Sequence, residues 1–455
     1  MTESAVAPSG TAILARAASQ TRWSALPADV RAMALDLFAD ALAIIAAGSV
    51  HDDMRRLARQ IAPSDGQSTL IGERRGVTLR EALLLNAATT TVLQRQDGYA
   101  HAKGHPASQL TPLLLALAEA RGKSASDMLS AFVAGYEVAA RVGRALGGVP
   151  SWLHDNGNWA LIGVAAAAAH LLTGGDATRI AAAIDSAASL GLAFDRFTTA
   201  SGATIHHLYP AMATTDALTA AEGAVAGLTP RPGALEAFYG PRFGTAFNAE
   251  HLRSGIGAEG WSSFEILNGY FKLHPSCAHL HGVNDAVDQL MAQDGLTAES
   301  FASIDVETFG EAMEIDAHAP HNDLAARFSA RATVAAAIVH GRLDDPGLND
   351  LAALAPVMAR ISVRHDPAMD RHIPAGRPGR VTVKFRDGRA AVREVIFPRG
   401  TFEVPASEAE RREKAQRLLT RLYGPAHAGH ILATCRALGD GGTLAALTAA
   451  LRSKA

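Results

Sequence analysis

Cysteine, aromatic residues and any excess of charge are scarce in this 455-residue chain. Cys277 and Cys435 are its only cysteines, which excludes a disulfide framework and any iron–sulfur cluster held by three or four cysteines of one chain. The 42 Lys and Arg residues against 45 Asp and Glu leave a net charge of −3. This balance predicts binding neither to nucleic acid nor to a membrane surface.

Long apolar segments and targeting signals are also lacking. Residues 1–10 show no basic region followed by an apolar one, as a signal peptide would. The longest apolar run, residues 159–169, contains Gly163 and is too short to cross a bilayer. Because cysteine is rare as well, we expect a cytoplasmic protein.

Sequence motifs that cradle phosphates or activate a serine are missing. The chain has no Gly-x-Gly-x-x-Gly after a strand, no complete Gly-x-x-x-x-Gly-Lys-Ser/Thr loop and no Gly-x-Ser-x-Gly elbow. Nucleotide binding and serine hydrolysis are therefore disfavoured.

What the chain does contain is helical periodicity. From about residue 12 to 227, apolar residues recur at helical spacing. Helices are predicted at residues 31–47, 80–93, 110–120, 125–146, 161–172, 177–190 and 211–226. Many of the apolar residues are small, which favours a tight bundle.

The pattern changes after about residue 260. Alternating apolar and polar residues predict strands at 303–309, 360–364, 379–385 and 392–397, interleaved with helices at 282–293 and 325–340. Helices return at 409–422, 426–438 and 444–451. The prediction is a mainly α protein, with a large helical domain built from residues 1–261 and 403–455 and a smaller α+β domain at 262–402.

One segment concentrates titratable side chains. Residues 94–108 carry Asp97, His101, Lys103 and His105, and glycines and a proline break any regular helix there. Such groups on a loop held by helices suit proton transfer on a small anion. The alternative is a solvated, histidine-rich connection.

A second segment, residues 270–281, carries a lysine, a cysteine and three histidines. Metal binding is disfavoured, because no paired ligand spacing accompanies them. Helix capping and packing are expected for His279 and His281. Lys272 suits binding of a carboxylate or donation of a proton. Cys277 is either an inert thiol or a proton carrier whose pKa a helix N-terminus lowers.

Two further histidine sites precede helices. His154 lies in the loop before the alanine-rich helix, where backbone N–H groups attract anions. His206 and His207 precede the predicted helix at 211–226. Such a pair of neighbouring histidines usually contains one functional and one incidental residue.

Taken in order, the motifs resemble one family. They are Asn86, Asp97, His105-Pro106, residues 113–122, Gly135-Tyr-Glu-Val-Ala-Ala-Arg141, residues 163–169, Phe271-Lys272 with Pro275, residues 326–329, Asp366-Pro367 and residues 379–388. The series is similar to the MmgE/PrpD family, which includes 2-methylcitrate dehydratase, cis-aconitate decarboxylase and iminodisuccinate epimerase. The resemblance covers about residues 10–440. It implies a helical domain formed by both chain ends, an α+β lid domain, a homodimer, and an active site between the domains without metal or cofactor.

The resemblance also implies site residues. His105 stands at the family's His-Pro histidine, Asp97 at the second residue of its Asp-Asp pair, His154 at its loop histidine and Lys272 at its lid lysine. Two departures remove charges: Gln96 replaces the first Asp, and His206 and Tyr209 replace the Lys and His of a later motif. The family's tricarboxylate substrates are therefore not carried over.

The expected function is a cofactor-independent lyase that dehydrates a small β-hydroxy di- or tricarboxylate. Asp97, His105, His154, His206 and Lys272 are the expected catalytic residues. The expected substrate-binding residues are His101, Lys103 and Cys277. The alternatives are an epimerase of the iminodisuccinate type, a decarboxylase of the cis-aconitate type, and an inactive carboxylate-binding member.

Overall fold

The structure, a computed structural model, describes residues 8–61 and 63–452 and is mainly α-helical. The helices are α1 Gly10–Ser19, α2 Ala28–Ser49, α3 Asp52–Ile61, α4 Leu79–Thr89, α5 Pro106–Ala120, α6 Ala125–Ala145, α7 Ala160–Thr173, α8 Ala177–Leu190, α9 Leu208–Ala226, α10 Gly240–Phe243, α11 Glu250–Arg253, α12 His281–Asp294, α13 Gly310–Glu314, α14 Asp323–Ala326, α15 Ala330–His340, α16 Leu351–Met358, α17 Glu408–Tyr423, α18 Pro425–Ala437 and α19 Leu444–Arg452.

The strands form one four-stranded sheet and three short ribbons. The ribbons pair β1 Asp65–Thr69 with β2 Gly76–Val77, β3 Gly98–Tyr99 with β6 Gly269–Tyr270, and β4 Ile256–Gly257 with β5 Gly260–Trp261. The sheet contains β7 Phe301–Thr308, β8 Ile361–His365, β9 Gly379–Phe385 and β10 Ala390–Val395, in the order β10-β9-β7-β8. Only β7 and β8 run parallel within it.

Small residues let the central helices approach closely. A Cβ on Gly163 of α7 would lie 2.2 Å from the carbonyl oxygen of Gly135 in α6, so the two backbones touch at this point. Residues 165–169 of α7 are all alanine and fully buried. A larger side chain at this crossing would force the helices apart.

Two large apolar cores and three smaller clusters are found among the described residues. One joins residues between 14 and 271 to residues between 406 and 451, because α17 packs against α2. The other lies between residues 283 and 385, around the four-stranded sheet and α12 and α15. The boundaries at residues 262 and 403 stay predictions, and residues 262–402 are called the lid segment below.

Most predicted elements form, with shifted ends. The prediction of one continuous helix at 325–340 is wrong, because the segment divides into α14 and α15. The Ser329 side chain accepts a hydrogen bond from the Ala332 N–H and so starts a new helix. The loop expected through residue 108 ends earlier, since α5 begins at Pro106. The helices that were not predicted are α1, α3, α10, α11, α13 and α16.

Within the described ranges, no single helix is long and apolar enough to span a membrane. Helices α2 and α3 meet that test only when they are taken together, and they are bent by 83° relative to each other.

Candidate active site

A cavity of about 110 Å³ lies between loops of the helical core and loops of the lid segment. We call it the reaction cavity. Side chains from both sides of the molecule surround it. Its polar and charged lining consists of Gln94, Tyr99, Lys103, His105, His154, Asp155, Arg196, Thr199, Tyr270, Lys272, Cys277, His279, His281, Arg377, Thr401 and Glu403.

A short ribbon brings the two histidine-rich segments together. Strands β3 and β6 pair antiparallel, with Gly98 opposite Tyr270. A Cβ on Gly98 would lie 2.0 Å from the Tyr270 ring, so only glycine permits this approach. The pairing places Lys272, two residues beyond β6, against the loop that carries His105.

Asp97 organises that loop. Its carboxylate accepts hydrogen bonds from the backbone N–H groups of Ala107 (3.0 Å) and Ser108 (2.9 Å) and from the Ser108 hydroxyl (2.7 Å). It therefore caps the N-terminus of α5 from ten residues away, which explains why the helix begins at Pro106. Burial, opposed by these hydrogen bonds, raises the pKa of Asp97 to about 6.

His105 presents one ring nitrogen to the protein. Its Nδ1 lies 2.5 Å from the carbonyl oxygen of Asp97, so Nδ1 carries the proton and donates it. Burial, together with the nearby Lys272 ammonium, lowers the pKa of His105 to about 3. The ring is neutral near pH 7, and its Nε2 is free to accept a proton from a molecule in the cavity.

Lys272 is buried, with 2% of its surface exposed, and it lines the reaction cavity. No ion pair or hydrogen bond of its ammonium to any residue in 8–61 or 63–452 is found. Burial lowers the pKa of Lys272 to about 8. A buried ammonium without a protein anion is costly, and an anionic ligand in the cavity would relieve that cost.

His154 and Asp155 form the next part of the lining. His154 Nδ1 lies 3.1 Å from the Asp155 carboxylate and 2.9 Å from the backbone nitrogen of Asn156. Burial would raise the pKa of Asp155, but the hydrogen bond and charge of His154 and the charges of His105 and Lys103 outweigh it and hold that pKa well below its usual range. Asp155 is therefore an anion inside the cavity.

A second group of cations surrounds His279. Burial, together with the charges of Arg377, Lys103 and Arg196, holds the pKa of His279 well below its usual range. Arg377 donates to the carbonyl oxygens of Pro374 and Gly376, and Arg196 reaches Glu314 only at 3.9 Å. Lys103 is paired, at 2.6 Å, with Glu311. Two guanidinium groups at this end thus have spare capacity for an anion.

The structure separates the sequence-predicted residues into two groups. The predicted residues that line the cavity are Lys103, His105, His154, Lys272 and Cys277. Those that do not line it are Asp97, His101 and His206. His101 is exposed beside Tyr99 and Phe402, whereas His206 is buried behind His154, with ring centroids 4.8 Å apart.

Two expectations about these side chains need correction. Burial raises the pKa of Cys277, so its thiol is protonated near pH 7 and is not the low-pKa proton carrier considered above. His279 and His281 line the cavity, and neither side chain caps α12. Burial also holds the pKa of His206 well below its usual range, which agrees with the expected loss of the positive charge of the lysine that it replaces.

The sequence interpretation missed Arg196, Arg377 and Asp155. No local motif marks the two arginines, which reach the cavity from loops that lie far apart in the chain. Asp155 adjoins His154, and its position beside a candidate histidine was the available signal.

One group of potential metal ligands is present among the described residues. Ligand atoms of His274, Asp285 and Asp288 lie within 4.8 Å of one another. His274 already bonds Asp285 at 2.8 Å, and Arg399 lies 3.3 Å from Asp285 and 3.2 Å from Asp288. The three residues lie outside the reaction cavity, and their charges are paired.

Comparison with known proteins identifies the family. The family model of the MmgE/PrpD N-terminal domain matches residues 12–248, and that of the C-terminal domain matches residues 274–439. The chain belongs to the MmgE/PrpD family. It is also 26% identical, over 451 residues covering 90% of each chain, to the cis-aconitate decarboxylase-like protein oryM of Aspergillus oryzae (strain ATCC 42149 / RIB 40). Family membership and this relative support a lyase function at the level of the family.

Proposed function

We propose that this MmgE/PrpD protein is a lyase that acts on a small di- or tricarboxylate in the reaction cavity, using protein side chains alone. The observation that carries the proposal is Lys272, a buried cation in the cavity that no carboxylate of the described residues contacts, although the Asp155 anion lines the same cavity. Such a site favours a ligand that supplies the missing negative charge.

The distribution of charge supports more than one carboxylate on the ligand. Lys272 and His105 lie together, as the electrostatic effect of Lys272 on His105 shows. Arg196 and Arg377 line the same cavity and act on His279 in the same way. A ligand with two carboxylates would place one at each group, whereas a monocarboxylate would leave one group unpaired.

Dehydration is the reaction proposed first. Neutral His105 Nε2 would take the proton from the carbon next to a carboxylate, and the Lys272 ammonium would stabilise the charge that develops on that carboxylate. The C–O bond to the β-hydroxyl then breaks, and the hydroxyl leaves as water with a proton from a second group. His154 is the proposed donor of that proton, because it lines the same cavity.

Decarboxylation is the second candidate, favoured by the name of the oryM relative. Here the C–C bond to a carboxylate breaks, carbon dioxide leaves, and the electron pair left on carbon takes up a proton. The apolar part of the cavity, which includes Leu153, Ile315 and Phe328, would favour loss of the carboxylate charge.

Incubation with citrate, 2-methylcitrate, cis-aconitate and iminodisuccinate in deuterated water, followed by NMR, tests the proposal. We expect loss of water from a hydroxy acid, or carbon dioxide release if the second candidate is right. Solvent exchange alone would indicate an epimerase instead. Calorimetric binding without any conversion would indicate a carboxylate-binding protein, and neither binding nor conversion would contradict the proposal entirely.

We also propose that the protein is a cytoplasmic homodimer. A homodimer and a cytoplasmic location are predicted from the resemblance and the composition, respectively. Light scattering of the purified protein and fractionation of the source cells would check them.

A further inference from the structure

Four histidine side chains form a continuous row through the protein, which we call the histidine row. Ring centroids are 6.4 Å apart from His51 to His207, 6.1 Å from His207 to His206, and 4.8 Å from His206 to His154. The row begins at the reaction cavity, because His154 lines it. His206 and His207 adjoin in sequence, whereas His51 and His154 are brought to them by the fold.

The other end of the row opens into a second cavity. This cavity has a volume of about 790 Å³ and is lined by His51, Asp53 and Asp323, among other polar residues. Its size and its charged walls suit a water-filled space. The histidine row is therefore a polar connection between the small reaction cavity and a larger hydrated one.

The charge partners of the row lie at its ends. His51 Nε2 lies 3.1 Å from the Asp323 carboxylate, and His154 Nδ1 lies 3.1 Å from that of Asp155. In the middle, His207 reaches Asp53 only at 3.9 Å, and no ion pair is found for His206 among the described residues. His51 Nδ1 accepts from the Asp53 N–H at 3.3 Å, so its Nε2–H faces Asp323. His154 Nδ1 accepts from the Asn156 N–H, so the ring proton of neutral His154 lies on Nε2. The two middle rings have no carboxylate of the described residues within 3.5 Å.

Ring nitrogens in the middle of the row retain hydrogen-bonding capacity. His206 and His207 are only 1% and 2% exposed. His206 Nε2 lies 3.3 Å from the Gln94 amide nitrogen, whereas its Nδ1 has no hydrogen-bond partner among the described residues. His207 Nδ1 lies 3.4 Å from the Thr91 hydroxyl. Apolar side chains would fill this interior without leaving a buried nitrogen unsatisfied, so packing alone does not account for the two rings.

We propose that the histidine row conducts protons between the reaction cavity and the water of the second cavity. Each imidazole accepts a proton on one nitrogen and releases the proton of the other, so a proton taken up at His51 leads to one delivered at His154. No hydrogen bond joins ring nitrogens of neighbouring members of the row, so each transfer would cross one bridging water. No ring gains or loses a proton over a complete cycle.

The use of the row in catalysis rests on the proposed function. In decarboxylation, the carbon that loses carbon dioxide takes one proton from His154, and the row replaces it with one proton from water. In dehydration, His105 takes one proton from carbon and His154 gives one to the leaving hydroxyl. The proton held by His105 can be returned to His154 within the cavity, so no net proton is drawn through the row. Decarboxylation therefore depends on the row at every turnover.

A substrate-free experiment tests conduction itself. The ring N–H groups of His206 and His207 are observed by NMR in protein labelled with ¹⁵N-histidine, and their exchange with solvent is measured. We expect replacement of His51 by glutamine (His51→Gln) to slow this exchange about tenfold, the low end of typical proton-transfer effects. The ring of His170, buried in α7 away from the row, is the internal control and should not change. Unchanged exchange at His206 and His207 would overturn the proposal.

A turnover experiment tests its use, with cis-aconitate as the probe substrate. We expect His207→Gln to lower kcat about tenfold or more with little change in KM, and added imidazole to restore much of the loss. His170→Gln is the matched control for removal of a buried ring. If kcat falls in both His207→Gln and His51→Gln and imidazole restores neither, the two histidines have a structural role. That result would overturn the proposed use of the histidine row in catalysis. If the wild type converts no polycarboxylate, the proposed function fails, while the exchange experiment still decides conduction.

Discussion

Lys272 and Lys414 are equally buried, each with 2% of its surface exposed, yet their surroundings differ. The Lys414 ammonium, on α17, donates to the Asp40 carboxylate on α2 and to the carbonyl oxygen of Arg95, both at 2.9 Å. The Lys272 ammonium has no such partner among the described residues and lines a cavity. Removing one partner of a buried, paired lysine leaves the other charge uncompensated and destabilises the fold, whereas a lysine left unpaired beside a cavity is suited to a ligand.

The same contrast holds for two histidines. His274 is paired with Asp285 at 2.8 Å, and the pair is tied to Arg399. His105 contacts a backbone carbonyl oxygen through Nδ1 and leaves its other nitrogen to the cavity. Among side chains of the same type and similar burial, those whose polar atoms are all paired by the protein are therefore structural, and those that leave an atom to the cavity are functional.

The largest expected effect is on turnover in Lys272→Met. Loss of the ammonium that holds and stabilises the substrate carboxylate should lower turnover about 10²–10⁴-fold, the range of a positioned catalytic group. Stability to urea should be unchanged or higher, because the variant removes a desolvated charge that no protein anion pairs. Steady-state kinetics and urea unfolding check both parts. A variant with near wild-type turnover would remove Lys272 from the site.

A comparable loss of turnover is expected for His105→Gln. The variant lacks the neutral base, so turnover should fall about 10²–10⁴-fold while the protein stays folded. His274→Gln is the matched control, in which stability should fall and turnover per folded molecule should change far less. The His105 account would be contradicted if a folded His105→Gln protein kept more than about half of wild-type turnover, since such groups contribute far more.

In Lys414→Met the expected effect is on stability instead. The substitution leaves the buried Asp40 carboxylate without its ammonium partner, which should lower the free energy of unfolding by about 3–5 kcal/mol. Urea denaturation of Lys414→Met beside Lys272→Met provides the direct comparison. Equal stability of the two variants would break the proposed distinction between paired and unpaired lysines.

A smaller effect is expected on pH dependence. Because the pKa of Lys272 is about 8, its ammonium loses the proton above that pH, and affinity for a carboxylate should then fall by up to about tenfold per pH unit.

The free energy of unfolding should change in the opposite direction as the pH rises. The unfolded chain binds the extra proton between about pH 8 and 10.5, so this group's contribution to stability rises with pH in that window. Binding and unfolding series from pH 7 to 10 should show both trends, and neither should appear in Lys272→Met.

Much of the fold could be predicted because its signals are local. Helix α8 has its predicted bounds, Ala177–Leu190, and β9 has those predicted from its alternating residues, Gly379–Phe385. The hairpin between β9 and β10 turns at Asp387-Gly388, where Gly388 has a φ of 89°, and an Asp-Gly pair is itself a local signal for such a turn. The break between α14 and α15 was missed, since capping by a single serine competes with the helical pattern on both sides.

The candidate site was predictable where its residues share a motif. His105 and Lys103 belong to one loop, and Lys272 and Cys277 to another, so chemistry-rich segments pointed to them. Arg196 and Arg377 enter the cavity only through tertiary packing. The capping of α5 by Asp97 was not predicted, because the turn that brings its carboxylate to the N–H groups of Ala107 and Ser108 has no sequence pattern of its own. A catalytic role for Asp97 stays a prediction.

The most direct test is a calorimetric titration with tricarballylate, a tricarboxylate that has neither a hydroxyl group to lose nor a double bond. At pH 7, we expect wild-type protein to bind it and Lys272→Met to bind it about tenfold or more weakly, the value of one hydrogen bond to a charged group. Equal affinity in the two proteins would show that the Lys272 ammonium does not hold a carboxylate and would contradict the proposed site.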